Sequence, residues 1–183
     1  MELIKPGLLL ISDPFLKDKN FIRTVVLICD HQTDGSVGFV INKIYDYTIG
    51  YLVSGLEDCN FPVYIGGPVQ IDTIHFLHQR PDLIEGGFAV TNNIYWGGNF
   101  EQVKVLLQEK TLTQKDIKFF IGYSGWDAEQ LAEEIKEKSW ITRIANKQLV
   151  FNKNIDNLWK QALIGLGGEY ELMTNYPLDP QYN

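Results

Sequence analysis

The sequence predicts an α+β domain built on a mostly antiparallel, barrel-like sheet. Three observations carry this. Short β-branched and apolar runs dominate the first half of the chain. Helical patterns punctuate the second half. The order never settles into the βαβα alternation of a doubly wound parallel sheet.

The elements follow in chain order. Gly7 to Ile11 reads as a short buried strand, and Asp13-Pro14 turns the chain. Phe21 to Cys29 (FIRTVVLIC) has the length and composition of a central strand. Asp30 to Ser36 carries Asp-Gly at its tip, and Val37 to Asn42 returns, so the pair predicts an antiparallel hairpin. Thr48 opens a short helix through Leu56. Phe61 to Ile65 is a strand ending in Gly66-Gly67-Pro68, followed by strands at Ile74 to His78 and Phe88 to Val90.

Asn99 caps a helix through Lys110 that gathers Phe100, Val103, Leu106 and Leu107 on one face. Ile117 to Ile121 reads as a strand, Gly122 to Trp126 as a Gly-rich turn, and Asp127 as the cap of an acidic helix. Trp140 to Ile144 and Leu149 to Phe151 read as short strands. Asn154 or Asp156 starts a last helix, which Gly167-Gly168 ends. That makes about four helices. Residues 1–168 are expected to form one domain, with 169–183 a loosely held polar tail.

Composition narrows the function classes. The 183 residues suit one domain, and the 45% hydrophobic and 21% charged residues are ordinary for a globular protein. Net charge is −7, with no basic run, which argues against a nucleic-acid partner or an anionic membrane surface. Cys29 and Cys59 lie far apart without a CxxC pattern, so free thiols in a reducing compartment are expected. No apolar stretch reaches the length of a membrane helix, and no signal peptide is legible, so the expected location is cytoplasmic.

The landmarks, taken in order, resemble the AlgH/YqgE-like family of small bacterial proteins. They are Gly7-Leu-Leu-Leu-Ile11 with Asp13-Pro14, Phe21 to Ile28, His31, Gly35 to Asn42, Gly66-Gly-Pro-Val69 and Leu77-His78. Tyr95-Trp-Gly97, Gly122 to Leu131, Glu134, Trp140 and Trp159 complete the set. The resemblance implies a compact α+β fold whose split sheet wraps into a pseudo-barrel. It implies no established catalytic residue. Some members carry a label of transcriptional regulation, which fits poorly with an acidic chain lacking a helix-turn-helix.

Several residue groups invite a chemical reading. Gly122-Tyr-Ser-Gly-Trp126 approaches a nucleophile elbow, but Trp126 stands where the last glycine belongs, and the family pattern carries Ala at Ser124. Gly66-Gly67-Pro68-Val69 lacks the lysine and spacing of a phosphate loop. His75 and His78 point to opposite faces of a strand and make poor co-ligands. Neither metal nor cofactor is therefore expected. Gln130 and Glu134 lie one helical turn apart and can act together.

The favoured expectation is a binding or regulatory module for a small molecule or protein. Its candidate site comprises His31, Asn42, Gly66, Gly67, His78, Tyr123, Gly125, Trp126, Gln130 and Glu134. An enzyme, hydrolytic in type, with its site around the 122–134 turn and helix and using His31 or His78 with Asn42, Gln130 or Glu134, is the alternative, and a DNA-binding regulator the third.

Overall fold

A computed structural model describes residues 3–177. Ten strands form one curled sheet: β1 Leu8–Ser12, β2 Val25–Gln32, β3 Gly35–Val40, β4 Ile44–Thr48, β5 Pro62–Ile65, β6 Val69–His78, β7 Phe88–Thr91, β8 Ile94–Trp96, β9 Ile117–Asp127 and β10 Trp140–Ile144. Six helices accompany them: α1 Ile49–Leu52, α2 Phe100–Gln108, α3 Gln130–Lys136, α4 Lys147–Val150, α5 Leu158–Ile164 and α6 Glu169–Met173. The strand order is β10-β1-β2-β3-β9-β6-β8-β7, with β5 joining β9 and β4 joining β5. Every pairing is antiparallel except β5 with β9. The α+β half-barrel is the architecture that the strand and helix patterns predict.

Strand β9 is the hub, because its two halves pair with different parts of the sheet. Ile117 to Ile121 pair with β6 on one side and β5 on the other. Ser124 to Asp127 pair instead with β3, in the register Ser36↔Trp126 and Gly38↔Ser124. The switch falls at Gly122, whose φ of +66° suits glycine. A Cβ there would sit 2.7 Å from the Gly67 carbonyl oxygen and 2.9 Å from that of Val69. This splits the sheet and curls it.

The Gly122 to Trp126 segment is thus strand, and the expected Gly-rich turn into a helix is corrected. Gly122, Ser124 and Trp126 are buried, while Tyr123, Gly125 and Asp127 are more open. That alternation is the period of a half-buried strand. Two glycines masked it. Helix α3 consequently starts later than Asp127, with Glu129 in a left-handed conformation (φ 64°) at its N-cap.

Other elements refine the reading. The β2–β3 hairpin forms, but both strands run further into the Asp30 to Ser36 loop. Asn99 caps α2, its Oδ1 accepting from the Gln102 N–H at 3.2 Å. The expected strand at Leu149 to Phe151 belongs instead largely to α4, whose cap is Asn146 accepting from the Leu149 N–H at 2.9 Å. Short apolar runs fit either state, and packing decides. Strands β4 and β8 carry no clear alternation in the sequence and are held by their neighbours. Residues 169–173 of the expected tail form α6.

Three apolar layers hold the molecule together. Phe39, Phe120, Leu9 and Leu27 meet Trp159, Ala162 and Leu163 of α5 inside the half-barrel. Phe119, Ile117 and Val63 pack against α1 and α2 through Ile49, Val103 and Leu107. Leu8, Leu10 and Val26 cover Trp126, Trp140 and Leu131. Each fully buried large apolar side chain contributes about 1.5–3 kcal/mol.

Candidate functional site

The Gly66 turn, the returning hairpin strand and β9 meet at hydrogen-bond distance. Gly66 donates to the Ile121 carbonyl at 2.9 Å. Its own carbonyl accepts from the Val40 N–H at 2.8 Å and from Ser124 Oγ at 3.0 Å. A Cβ on Gly66 or Gly67 would collide with the backbone of Gly122 or Tyr123. These glycines let three chain segments cross in contact. The hydroxyl of Ser124 is fully buried and spent on that crossing. A shallow hollow of about 320 Å³ lies beside it, lined by Val40, Lys43, Gly67, Pro68 and Ile71.

The polar residues singled out in the sequence are engaged within the fold. Asn42 bridges the chain, accepting from the Val25 N–H and donating to the Arg23 carbonyl, both at 2.9 Å. His31 Nδ1 lies 2.8 Å from Ser36 Oγ. His78 is buried, accepts from the Arg80 N–H through Nδ1 and donates from Nε2 to the Gly97 carbonyl, both at 3.1 Å. Burial lowers its pKa, outweighing the Gly97 bond and the Asp82 charge, so the ring is neutral near pH 7. Tyr123 sets its ring edge-on to His75 at 5.9 Å, and Gly125 is exposed opposite Val37.

Glu134 is the centre of an indole clamp. Its Oε2 accepts from Trp126 Nε1 at 2.9 Å and from Trp140 Nε1 at 2.7 Å. Its Oε1 accepts from Gln130 Nε2 at 2.8 Å, and Gln130 Oε1 accepts from the Asp127 N–H at 3.0 Å. Gln130 and Glu134 do act together, but what they hold is the protein itself.

A larger open space lies elsewhere. A groove of about 710 Å³ runs between the Gly55 to Phe61 loop and the end of α2 with the loop after it. Leu56, Phe61, Leu107 and Leu112 supply apolar walls. The loop is firmly held: Gly50 donates to the Cys59 carbonyl at 3.0 Å and Cys59 to the Leu56 carbonyl at 2.7 Å. Gln108 Nε2 ties the rim to the Gly55 carbonyl at 2.8 Å. The rim carries Glu57 and Asp58 against Lys110 and Lys153. A bond from the Gly55 N–H lowers the Glu57 pKa, so it is ionised at neutral pH. Burial raises the Cys59 pKa over an opposing Phe61 backbone bond, so Cys59 is a thiol and a weak nucleophile.

A smaller cavity shares Gln114 and Lys153 with the groove and ends on Lys118. Lys118 is 4% exposed, yet no carboxylate pairs with it among the described residues. Its Nζ donates to the Ile41 carbonyl at 2.7 Å and the Val150 carbonyl at 3.1 Å, and lies 3.9 Å from the Tyr64 ring centroid. Burial pushes its pKa down to about 7.

None of the ten residues proposed from sequence lines the groove. Its walls come from positions near 55, 110 and 153, which no local motif links. The polar Glu57-Asp58-Cys59-Asn60 loop was the one available signal, and it reads as an ordinary surface turn.

The fold and the committed polar network define a small α+β protein with a split, half-barrel sheet. The family model described as DUF179, AlgH-like, matches residues 9–171, and the chain belongs to that family. It is 38% identical to a UPF0301 protein of Chlorobium limicola over 180 residues, covering 98% of this chain and 96% of the relative. It is 40% identical to one of Chlorobaculum tepidum over 182 residues, covering 100% and 97%. Among solved structures, a Corynebacterium diphtheriae protein matches with a TM-score of 0.82 at 19% identity, over 96% of this chain and 94% of that one. The AlgH protein of Pseudomonas aeruginosa matches with a TM-score of 0.73 at 24% identity, over 97% and 98%. At those identities the two structures speak to the fold.

Proposed function

We propose that this protein is a small-ligand-binding module whose ligand lies in the groove between the Gly55 to Phe61 loop and the end of α2. One observation carries the reading: the groove has ligand size and holds polar groups that the fold does not use. Its volume of about 710 Å³ falls within the roughly 300–1,000 Å³ typical of ligand pockets. Among the described residues, Asp58, Asn60, Lys110, Gln114 and Lys153 direct no side-chain hydrogen bond inward, whereas Gln130, Glu134, Ser124 and His78 all do. The acidic and basic rim groups balance, which suits a neutral or zwitterionic molecule with an apolar body. The net charge of −7 speaks against nucleic acid as the partner. Two free cysteines, and no described helix long and apolar enough to cross a membrane, are compatible with the cytoplasm as the working compartment.

A thermal-shift screen of small metabolites tests this. A ligand at a hundred times its Kd adds about 2.7 kcal/mol. That is a rise of roughly 5–10 °C for a domain of this size. Asn60→Trp, which fills the exposed rim, should abolish the rise while leaving the unliganded melting temperature unchanged. A hit that stabilises Asn60→Trp equally, or a broad panel with no hit, counts against the groove.

A further inference from the structure

Arg23 presents a guanidinium that the fold has positioned but not paired. Its backbone is held at φ +48° by Asn42, which grips the Arg23 carbonyl. A non-glycine residue in that region is strained and needs such support. The guanidinium lies over Trp159, 4.9 Å from Cζ to the ring centroid, and Trp159 is itself pinned by its Nε1 bond to the Ser12 carbonyl at 2.9 Å. No carboxylate pairs with Arg23 among the described residues, and its Nε is buried without a hydrogen-bond partner.

The chain's own C-terminal segment partly fills this place. The carbonyl of Tyr176 accepts from Arg23 Nη2, and the Tyr176 ring stacks on Phe15 at 5.3 Å with an interplanar angle of 26°. The grip is slight. Thr174 is buried, but Tyr176 is 39% exposed and Phe15 50% exposed. Beyond Thr174 the segment is held by two turn bonds, the one bond to Arg23 and the one ring stack.

We propose that Arg23, Phe15 and Trp159 form a binding site for a small aryl-alkanoate, which displaces residues 175–177. Tyr176 acts as an internal stand-in for that ligand. Its ring, methylene, Cα and carbonyl reproduce the skeleton of a 3-arylpropanoate, with the ring on Phe15 and an oxygen on the guanidinium. A carboxylate improves on the peptide carbonyl in two ways. It reaches Nε and Nη2 together as a two-pronged acceptor, and it brings the charge that the guanidinium lacks. Charge-assisted bonds of this kind are about twice as strong as neutral ones. The site is separate from the groove, so its fate is independent of the reading given above.

The test is an NMR titration of the full chain with 3-phenylpropanoate, following the Arg23 Nε–H and Trp159 Nε1–H signals. 3-Phenylpropanamide serves as the uncharged control and inorganic phosphate as the control without a ring. Saturable shifts of both signals are expected with the acid alone. Tyr176→Ala removes the competing stack and should tighten binding roughly 3–10-fold. Arg23→Gln should weaken it at least about tenfold, and Arg23→Lys, which keeps the charge but loses the fork, should weaken it too. The proposal is overturned if the amide or phosphate matches the acid, or if either Arg23 variant binds as the wild type does. It is equally overturned if Tyr176→Ala binds no tighter, or shows no saturable shift at millimolar acid.

Discussion

Lys118 should make the protein more stable as the solution turns alkaline, which is opposite to ordinary base denaturation. An unfolded lysine titrates near 10.5, and burial brings Lys118 down to about 7 in the folded chain. Between those values the unfolded state binds more protons than the folded state, so stability rises with pH. The contribution is complete above the unfolded value and is lost as pH falls towards 7. Integrating that proton difference from pH 7 to 8.5 gives about 1.5 kcal/mol. For a domain of this size that is roughly 3–6 °C in melting temperature. Stopping at 8.5 matters because Cys29 opposes the trend at higher pH. Burial raises its pKa, so the folded thiol keeps a proton that the unfolded one loses. The assay is urea unfolding followed by tryptophan fluorescence at several pH values, for the wild type and Lys118→Met. The rise should vanish in the variant. The Ile41 and Val150 carbonyls and the Tyr64 ring all favour the ammonium and pull against burial. If the wild type is flat over this range, or if both proteins rise alike, those contacts outweigh desolvation and the reasoning fails.

Two further perturbations probe the clamp and the hub strand. Glu134→Ala leaves the N–H groups of Trp126 and Trp140 without their acceptor, and should cost about 2–6 kcal/mol in urea unfolding, given roughly 1–3 kcal/mol for each orphaned donor. A loss below about 1 kcal/mol would show that water replaces the carboxylate and that the clamp is not structural. Gly122→Ala must accept a left-handed backbone and contacts of 2.7 and 2.9 Å to two carbonyl oxygens, so a loss of about 3 kcal/mol or more is expected in the same assay. An alanine variant of near wild-type stability would mean that the strand switch does not depend on this glycine.

Legibility in the sequence followed the range of the interaction. Features set by neighbours within a few residues were readable: the Asn99 cap, the apolar face of α2, the β2–β3 hairpin and the strand at Trp140. The α4 segment was read as strand because Leu149, Val150 and Phe151 are compatible with either state, and the Asn146 cap three residues before Leu149 was the missed cue. What could not be read were contacts between distant segments. Lys118 meets Ile41 across 77 residues and Val150 across 32, and Arg23 meets Tyr176 across 153. Neither Lys118 nor Arg23 differs in the sequence from any solvated cation. The groove was hidden for the same reason, since its walls come from segments far apart in the chain, near β5, which pairs parallel with β9, and after α2.

Glycine in this chain carries two meanings that look alike in one dimension. A glycine can end an element, or it can let two elements touch, and the reading of Gly122 to Trp126 as a turn took the first meaning where the second holds. The distinction lies in the residues between the glycines. A turn has no reason to bury alternate side chains, yet Ser124 and Trp126 are buried while Tyr123 and Asp127 are more open. Gly66 and Gly67 support the same argument from the other side of the crossing, where a Cβ on either would strike β9. Resemblance to a nucleophile elbow therefore dissolves without any appeal to chemistry. An elbow exposes its serine at a sharp bend. Here a strand carries Ser124 inward onto the Gly66 carbonyl, and the polar residues beyond it close on two indoles. The conspicuous motif is what the half-barrel needs in order to split its sheet. Among the described residues, the polar groups that the fold leaves without partners are those the motif does not touch, on the Gly55 to Phe61 loop, after α2 and beside Arg23.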